Sequence, residues 1–234
     1  MWTECVGGSV FAVAGLMTYG VRSRSSNLFG PSVWRGAADN RAIALTFDDG
    51  PSESTPRLLE SLAREGVQAT FFQCGANVTR LPGIARRVAE AGHEIGNHSY
   101  SHPPFYLRSA AFMEREMARA QAVIQDVTGR APSLFRVPYG ARWFGLGGAQ
   151  KRLGLQGVMW TAIALDWKLN AAAIVRRLLR AAGNGAIFCL HDGRELEPEP
   201  DVGEMLVAVR RLIPELRVRG FHFETVSQIL CPTS

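Results

Sequence analysis

Short apolar runs alternate with amphipathic stretches along most of the chain. Residues 42–47 (Ala-Ile-Ala-Leu-Thr-Phe) are apolar and end in Asp48-Asp49-Gly50-Pro51. That pattern predicts a buried strand leading into a turn. Apolar runs at 68–73, 93–96, 134–137, 157–160, 186–190 and 221–226 predict further strands. Between them lie stretches with helical start and stop signals. The first opens at Thr55-Pro56 and stops at Gly66, and others cover 82–91, 109–128, 145–153, 170–182 and 202–218. Strands alternating with helices predict an α/β fold with a mostly parallel sheet. Roughly seven such units predict a closed or nearly closed (β/α) barrel of about seven strands.

The beginning of the chain breaks this rhythm. Residues 5–21 carry no charge and are mostly apolar, and Arg22 and Arg24 follow. The run is short for a membrane span but within the tolerated range. It is read first as a membrane anchor and second as a buried or interfacial helix. No basic residue precedes it, which argues against a secretory signal. Arginine after the run places that side in the cytoplasm, against an extracytoplasmic substrate; a membrane-associated or extracytoplasmic location is favoured, with a cytoplasmic one as the alternative. Residues 22–40 are polar and rich in Gly, Ser and Arg, and read as a linker. The division is therefore 1–21 apolar segment, 22–40 linker and 41–234 catalytic domain.

Composition narrows the class. The chain has 234 residues, 47% hydrophobic and 20% charged, enough for one domain with a real core and too apolar for disorder. The net charge of +5 comes almost wholly from arginines, which are scattered as pairs such as Arg86-Arg87 and Arg176-Arg177. No nucleic-acid motif accompanies them, so they read as solvated helix faces and the chain as a monomer without a nucleic-acid partner. Cys5, Cys74, Cys189 and Cys231 form no CxxC pair, which predicts neither a disulfide framework nor a cysteine metal site.

The residues able to do chemistry come just after the apolar strands: Asp48-Asp49, His98 and His102, Tyr139, Asp166 and His191. In parallel α/β folds these strand ends share one rim, where sites are built. His98-Ser-Tyr-Ser-His102 offers two imidazoles to one ion, without the glutamate of HExxH. Two imidazoles and one carboxylate leave an open position on a zinc-like ion. Asp48-Asp49 is the natural carboxylate source, because neighbouring side chains at a strand end point apart: one binds metal while the other faces the reacting water. Arg136, alone in an apolar strand, needs a carboxylate partner, either Asp48 or Asp166. The Pro138-Tyr139-Gly140 turn can aim a backbone N–H at an oxyanion. Trp167 offers a wall for a sugar ring, and His191 a proton for a leaving amine. His93 and His222 read as structural.

Taken in order, Thr46-Phe47-Asp48-Asp49-Gly50-Pro51, His98-Ser-Tyr-Ser-His102, Arg136-Val-Pro-Tyr-Gly140, Asp166-Trp167 and Leu190-His191-Asp192 resemble the five motifs of the polysaccharide deacetylases, the NodB-homology proteins of carbohydrate esterase family 4. The resemblance covers residues 40–230. It implies a distorted, NodB-like (β/α) barrel and a divalent metal, usually Zn2+, with Co2+ as another candidate. By resemblance, Asp49, His98 and His102 are the metal ligands, Asp48 the base and His191 the acid. Arg136 holds Asp48, Asp166 tunes that charge network, and the Tyr139 N–H meets the oxyanion. Pro138, Trp167 and Leu190 are assigned to the substrate. The sequence departs from the family pattern at Ile163, where an aspartate is frequent, and at Cys189, where a leucine is usual.

The implied function is removal of acetyl groups from N-acetylated sugars, such as N-acetylglucosamine units of chitin oligomers or peptidoglycan, or a lipid-linked sugar. The alternatives are an O-acetyl esterase on xylan-like glycans and a non-catalytic glycan-binding module. A membrane-surface binder has only the apolar run and the charge in its favour.

Overall fold

The computed structural model describes residues 14–231. One sheet holds strands β1 (Ser32–Val33), β2 (Ala42–Asp48), β3 (Thr70–Gln73), β4 (Glu94–Asn97), β5 (Leu134–Phe135), β6 (Gln156–Val158), β7 (Ala162–Ile163), β8 (Ala186–His191) and β9 (His222–Phe223). Their order is β1-β6-β5-β4-β3-β2-β8-β7, with β9 also on β2, and every pairing is parallel.

This order forces the sheet to curl. β6 and β7 stand six strand spacings apart, about 29 Å across a flat sheet. Only Met159, Trp160 and Thr161 join them, a connection reaching at most about 14 Å. The sheet therefore curls into an open half-barrel whose end strands β1 and β7 do not pair, and no helix separates β6 from β7. Helices Thr55–Arg64, Pro82–Glu90, Ala110–Thr128, Leu146–Leu153, Ala171–Ala181 and Gly203–Val218 surround it, within a few residues of the predicted positions.

The alternation of a strand sorts the core. On β2, Ile43, Leu45 and Phe47 face the helices and join a large cluster with Leu58, Leu62, Leu212 and Leu216. Ala42 and Ala44 face inward, with Phe72, Leu134, Val158 and Ile187. On β8, Phe188 and Leu190 face the helices, which leaves Cys189 and His191 on the inner face.

Three local expectations change. Residues 221–226 hold only the two-residue β9, because Thr225 starts a helix, Val226–Leu230, with a capping box to Gln228. Val226 and Ile229 of that helix close the barrel interior. A six-residue helix, Gly75–Arg80, was not foreseen.

Residues 22–40, expected as a linker, are packed against the barrel. Phe29 is buried with Val21 and Ala141, and β1 pairs with β6. Arg142, fully buried, donates to the carbonyls of Ser23 and Ser26 and to Ser32 Oγ. Few apolar anchors and one distant arginine fix the segment, so its polar composition concealed them. Residues 14–22 are helical. Most of the apolar run 5–21 assigned to an anchor lies outside the described residues, among which no helix is long and apolar enough to cross a membrane.

Candidate active site

The C-terminal ends of the strands build one cleft of about 780 Å³, lined by Asp48, Asp49, His98, His102, Tyr139, Trp167 and His191 among others. Asp48 and His191 end β2 and β8 and are register partners. Arg136 and Asp166 stand behind the lining. Two predicted substrate residues are placed elsewhere. Leu190 lies on the helix-facing side of β8, and Cys189 occupies the cleft wall in its place. Pro138 is buried in the turn while Tyr139 beside it reaches the cleft.

Asp49, His98 and His102 converge. Asp49 Oδ1 is 3.3 Å from His98 Nε2 and 3.1 Å from His102 Nε2. His98 Nδ1 is 2.7 Å from the Arg136 carbonyl. That contact makes Nδ1 the donor and leaves Nε2 with a free lone pair. Asp49 Oδ1 is buried and receives no well-aligned hydrogen bond, and His102 Nδ1 is also buried without one. Burial pushes the Asp49 carboxyl up, but the close approach of His102 and His98, with the charge of His191, outweighs it and holds Asp49 well below the usual carboxylate range. An ionised, unsatisfied carboxylate oxygen beside two imidazole nitrogens is the donor set of a divalent cation. The residues fit the implied metal.

The backbone is bent to make this cluster. Asp49, Ser99, His102 and Tyr139 all adopt positive φ, at 70°, 63°, 53° and 57°. Each costs on the order of 1 kcal/mol and is held by its surroundings. Asn97 Oδ1 accepts the Ser99 N–H at 2.9 Å, and Glu116 Oε2 accepts the Tyr100 and Ser101 N–H groups at 3.2 and 2.8 Å. Glu195 donates its N–H to Asp49 Oδ2 at 2.9 Å, and its carboxylate accepts the Tyr139 hydroxyl at 2.8 Å. Asn77 donates to the carbonyls of Asp49 and Glu195. Sequence reasoning missed Glu116, Glu195 and Asn77, which carry no motif and act across long separations.

Asp48 is held differently. Arg136 Nη1 donates to Asp48 Oδ1 at 2.7 Å and to Thr46 Oγ1 at 2.6 Å. Its other nitrogens donate to the Val158 and Met159 carbonyls, and its guanidinium lies over the Phe72 ring. Of the two partners foreseen for Arg136, the structure selects Asp48. Asp48, Cys189 and His191 also lie close enough together to suggest a second cation site. The guanidinium on Asp48 opposes a cation there. Burial and the Asp48 charge push the Cys189 thiol well up, so it stays protonated and its S–H donates toward Asp48 Oδ2 at 3.4 Å.

Asp166 grips His191 twice, accepting from its backbone N–H and from Nδ1, each at 2.8 Å. Nε2 is left for the cleft. Trp167 packs edge-on against the imidazole with ring centroids 5.1 Å apart. Burial pushes the His191 imidazole down, but the charge and hydrogen bond of Asp166, aided by Asp49 and Asp48, raise it to about 9. A group that must be protonated to act works below that value and fails above it. In the acid role that the sequence resemblance implies for His191, the rate is therefore expected to fall as pH rises through the alkaline range. Asp166→Asn removes the main raising influence, so the alkaline limb of the kcat/KM profile is expected to move to lower pH, toward the ordinary histidine range. A limb that stays in place in that variant removes His191 from the role.

The two histidines read as structural behave so. His93 Nδ1 accepts the Ala69 N–H at 3.2 Å, and burial pushes its imidazole down to about 4. His222 pairs with Glu224 at the surface.

Comparison with known proteins agrees with this geometry. The polysaccharide deacetylase family model matches residues 35–158. A peptidoglycan-N-acetylglucosamine deacetylase of Listeria monocytogenes is 34% identical over 195 residues, covering 82% of this chain and 40% of that protein. This chain thus spans about two fifths of that relative. A chitooligosaccharide deacetylase of Azorhizobium caulinodans is 34% identical over 196 residues, covering 78% of this chain and 91% of its own. The crystal structure of the Bc1960 peptidoglycan N-acetylglucosamine deacetylase superposes with a TM-score of 0.80 at 30% identity, covering 87% of this chain and 94% of that one. With its curled parallel barrel and its Asp-His-His cluster at the strand ends, the chain belongs to the polysaccharide deacetylase family.

Proposed function

We propose that this chain hydrolyses the acetamide of N-acetylglucosamine units in a glycan, with Zn2+ held by Asp49, His98 and His102. When bound, the ion supplies a Lewis acid that polarises the acetyl carbonyl and acidifies the attacking water. Asp48, fixed by Arg136, takes the proton from that water. The Tyr139 N–H is offered to the developing oxyanion. His191 Nε2 gives its proton to the leaving nitrogen, while Asp166 fixes the imidazole through Nδ1. Tyr139 and Trp167, each nearly half exposed, stand at the cleft as faces for a sugar ring.

The observation that carries this reading is the division of labour between adjacent aspartates. Asp49 turns to two histidines, and Asp48 turns to a buried arginine. His191, raised to about 9, suits protonation of an amine, a leaving group that departs poorly unless protonated. The test is acetate release from N-acetylglucosamine oligomers, peptidoglycan fragments and acetylxylan, with chelator and with Zn2+ restored. Release from the N-acetylated substrates, abolished by chelation and recovered with Zn2+, is expected. Release from acetylxylan alone would sink the N-acetyl reading. Activity indifferent to chelation, or to His98→Ala, would sink the metal reading.

A further inference from the structure

A second groove, of about 560 Å³, adjoins the catalytic cleft and shares Trp160 and Ile163 with it. Arg24, Arg176, Arg177 and Arg180 line it, and among the described residues no carboxylate does. Helix Ala171–Ala181 contributes three of the four, all exposed. The arginine ion pairs of the described residues fall instead on Arg80, Arg136, Arg152 and Arg217. Two of the groove's arginines are anchored. Arg24 donates to the Thr161 carbonyl, and Arg177 Nε donates to the Ile163 carbonyl at 2.6 Å. Arg176 and Arg180, one helical turn apart, have no such anchor.

A solvated helix face would spread such charges over a convex surface. Here they converge on a concavity, uncompensated, beside the reaction centre. Like charges gathered without counter-charge raise the local concentration of anions. Guanidinium groups match phosphate oxygens in paired hydrogen bonds. We propose that this groove is a subsite for a phosphate group on the glycan, on a sugar next to the one that is deacetylated. The inference rests on the deacetylase reading and names its substrate class further: an N-acetylated glycan bearing a phosphate ester.

The test compares a neutral N-acetylglucosamine tetramer with the same tetramer carrying a reducing-end phosphate. It uses the full chain loaded with Zn2+. The wild type is expected to prefer the phosphorylated tetramer, and the preference to fade with salt. In Arg176→Ala/Arg180→Ala, KM for the phosphorylated tetramer is expected to rise at least about 10-fold, the loss of one charge-assisted hydrogen bond. Its kcat, and both constants for the neutral tetramer, should stay unchanged. Equal effects on both tetramers, or no wild-type preference, overturn the proposal. Calorimetric binding of the phosphorylated tetramer needs no turnover. Weakened binding in the variant with no acetate released from either tetramer would uphold the groove while sinking the deacetylase reading. A tetramer ending in a uronate, preferred over the phosphorylated one, overturns the phosphate assignment. So does binding to phosphatidylglycerol vesicles that the variant loses without any tetramer preference, which would give the groove to a membrane surface.

Discussion

Asp48→Asn is expected to lower kcat for acetate release by on the order of 10²–10⁴-fold, the usual contribution of a positioned base. The amide keeps the shape of the carboxylate and can still accept the Arg136 N–H found 2.7 Å away. Thr46 Oγ1 and the Val158 and Met159 carbonyls continue to receive the guanidinium. The fold is therefore expected to survive. The metal is expected to stay as well, because Asp49, His98 and His102 are untouched. Kinetics, metal content and a thermal melt on one preparation separate these effects. A variant within 10-fold of the parent would remove Asp48 from the chemistry. One that loses its metal would show that the two aspartates are not divided as proposed.

The second large effect falls on stability. Arg136 is fully buried and its partner Asp48 nearly so. Arg136→Met leaves a buried carboxylate whose remaining hydrogen bond is from the Cys189 thiol, with the His191 imidazole nearby as its closest counter-charge, and breaking such a pair costs about 3–5 kcal/mol. For a chain of this size that corresponds to a melting temperature lower by about 10 °C. The loss should exceed that of Arg136→Lys, which retains a charge but not the four-way hydrogen bonding. Equal melting of the wild type and Arg136→Met would mean that Asp48 finds another counter-charge. The arginine also ties β2 to the β6 end across the barrel interior, so the loss includes cohesion between strands.

Seven of the nine strands and most helices were legible because their periodicity is local, whereas β1 and β7, two residues each, are too short to show one. β2 shows its buried face in seven consecutive residues. The five motifs were legible because each sits at a strand end, and a parallel barrel brings strand ends to one rim. Leu190 was misplaced for want of the period-two register: once His191 faces the cleft, its neighbour must face the helices. Glu195 and Asn77 could not be read, since their contacts to Asp49 are made by a loop and by the unforeseen helix Gly75–Arg80, which meet Asp49 only in three dimensions. The helix starting after Thr225 was hidden by an apolar run too short to distinguish helix from strand. The packed segment before β2 was hidden by composition: Arg142 grips carbonyls more than 110 residues earlier in the chain, a relation no window contains.

That segment also bears on where the folding unit starts. β1 covers the outer edge of β6, and Thr161 Oγ1, between β6 and β7, donates to the Trp34 carbonyl at 2.9 Å. The stretch acts as a stitch over the seam where the barrel has no helix. A fragment cut just ahead of the first motif, as motif boundaries invite, would bare a row of backbone hydrogen-bonding groups on β6. Such a row recruits strands from neighbouring molecules. The motifs mark the reactive unit, but the unit that keeps the β6 edge covered begins upstream of them.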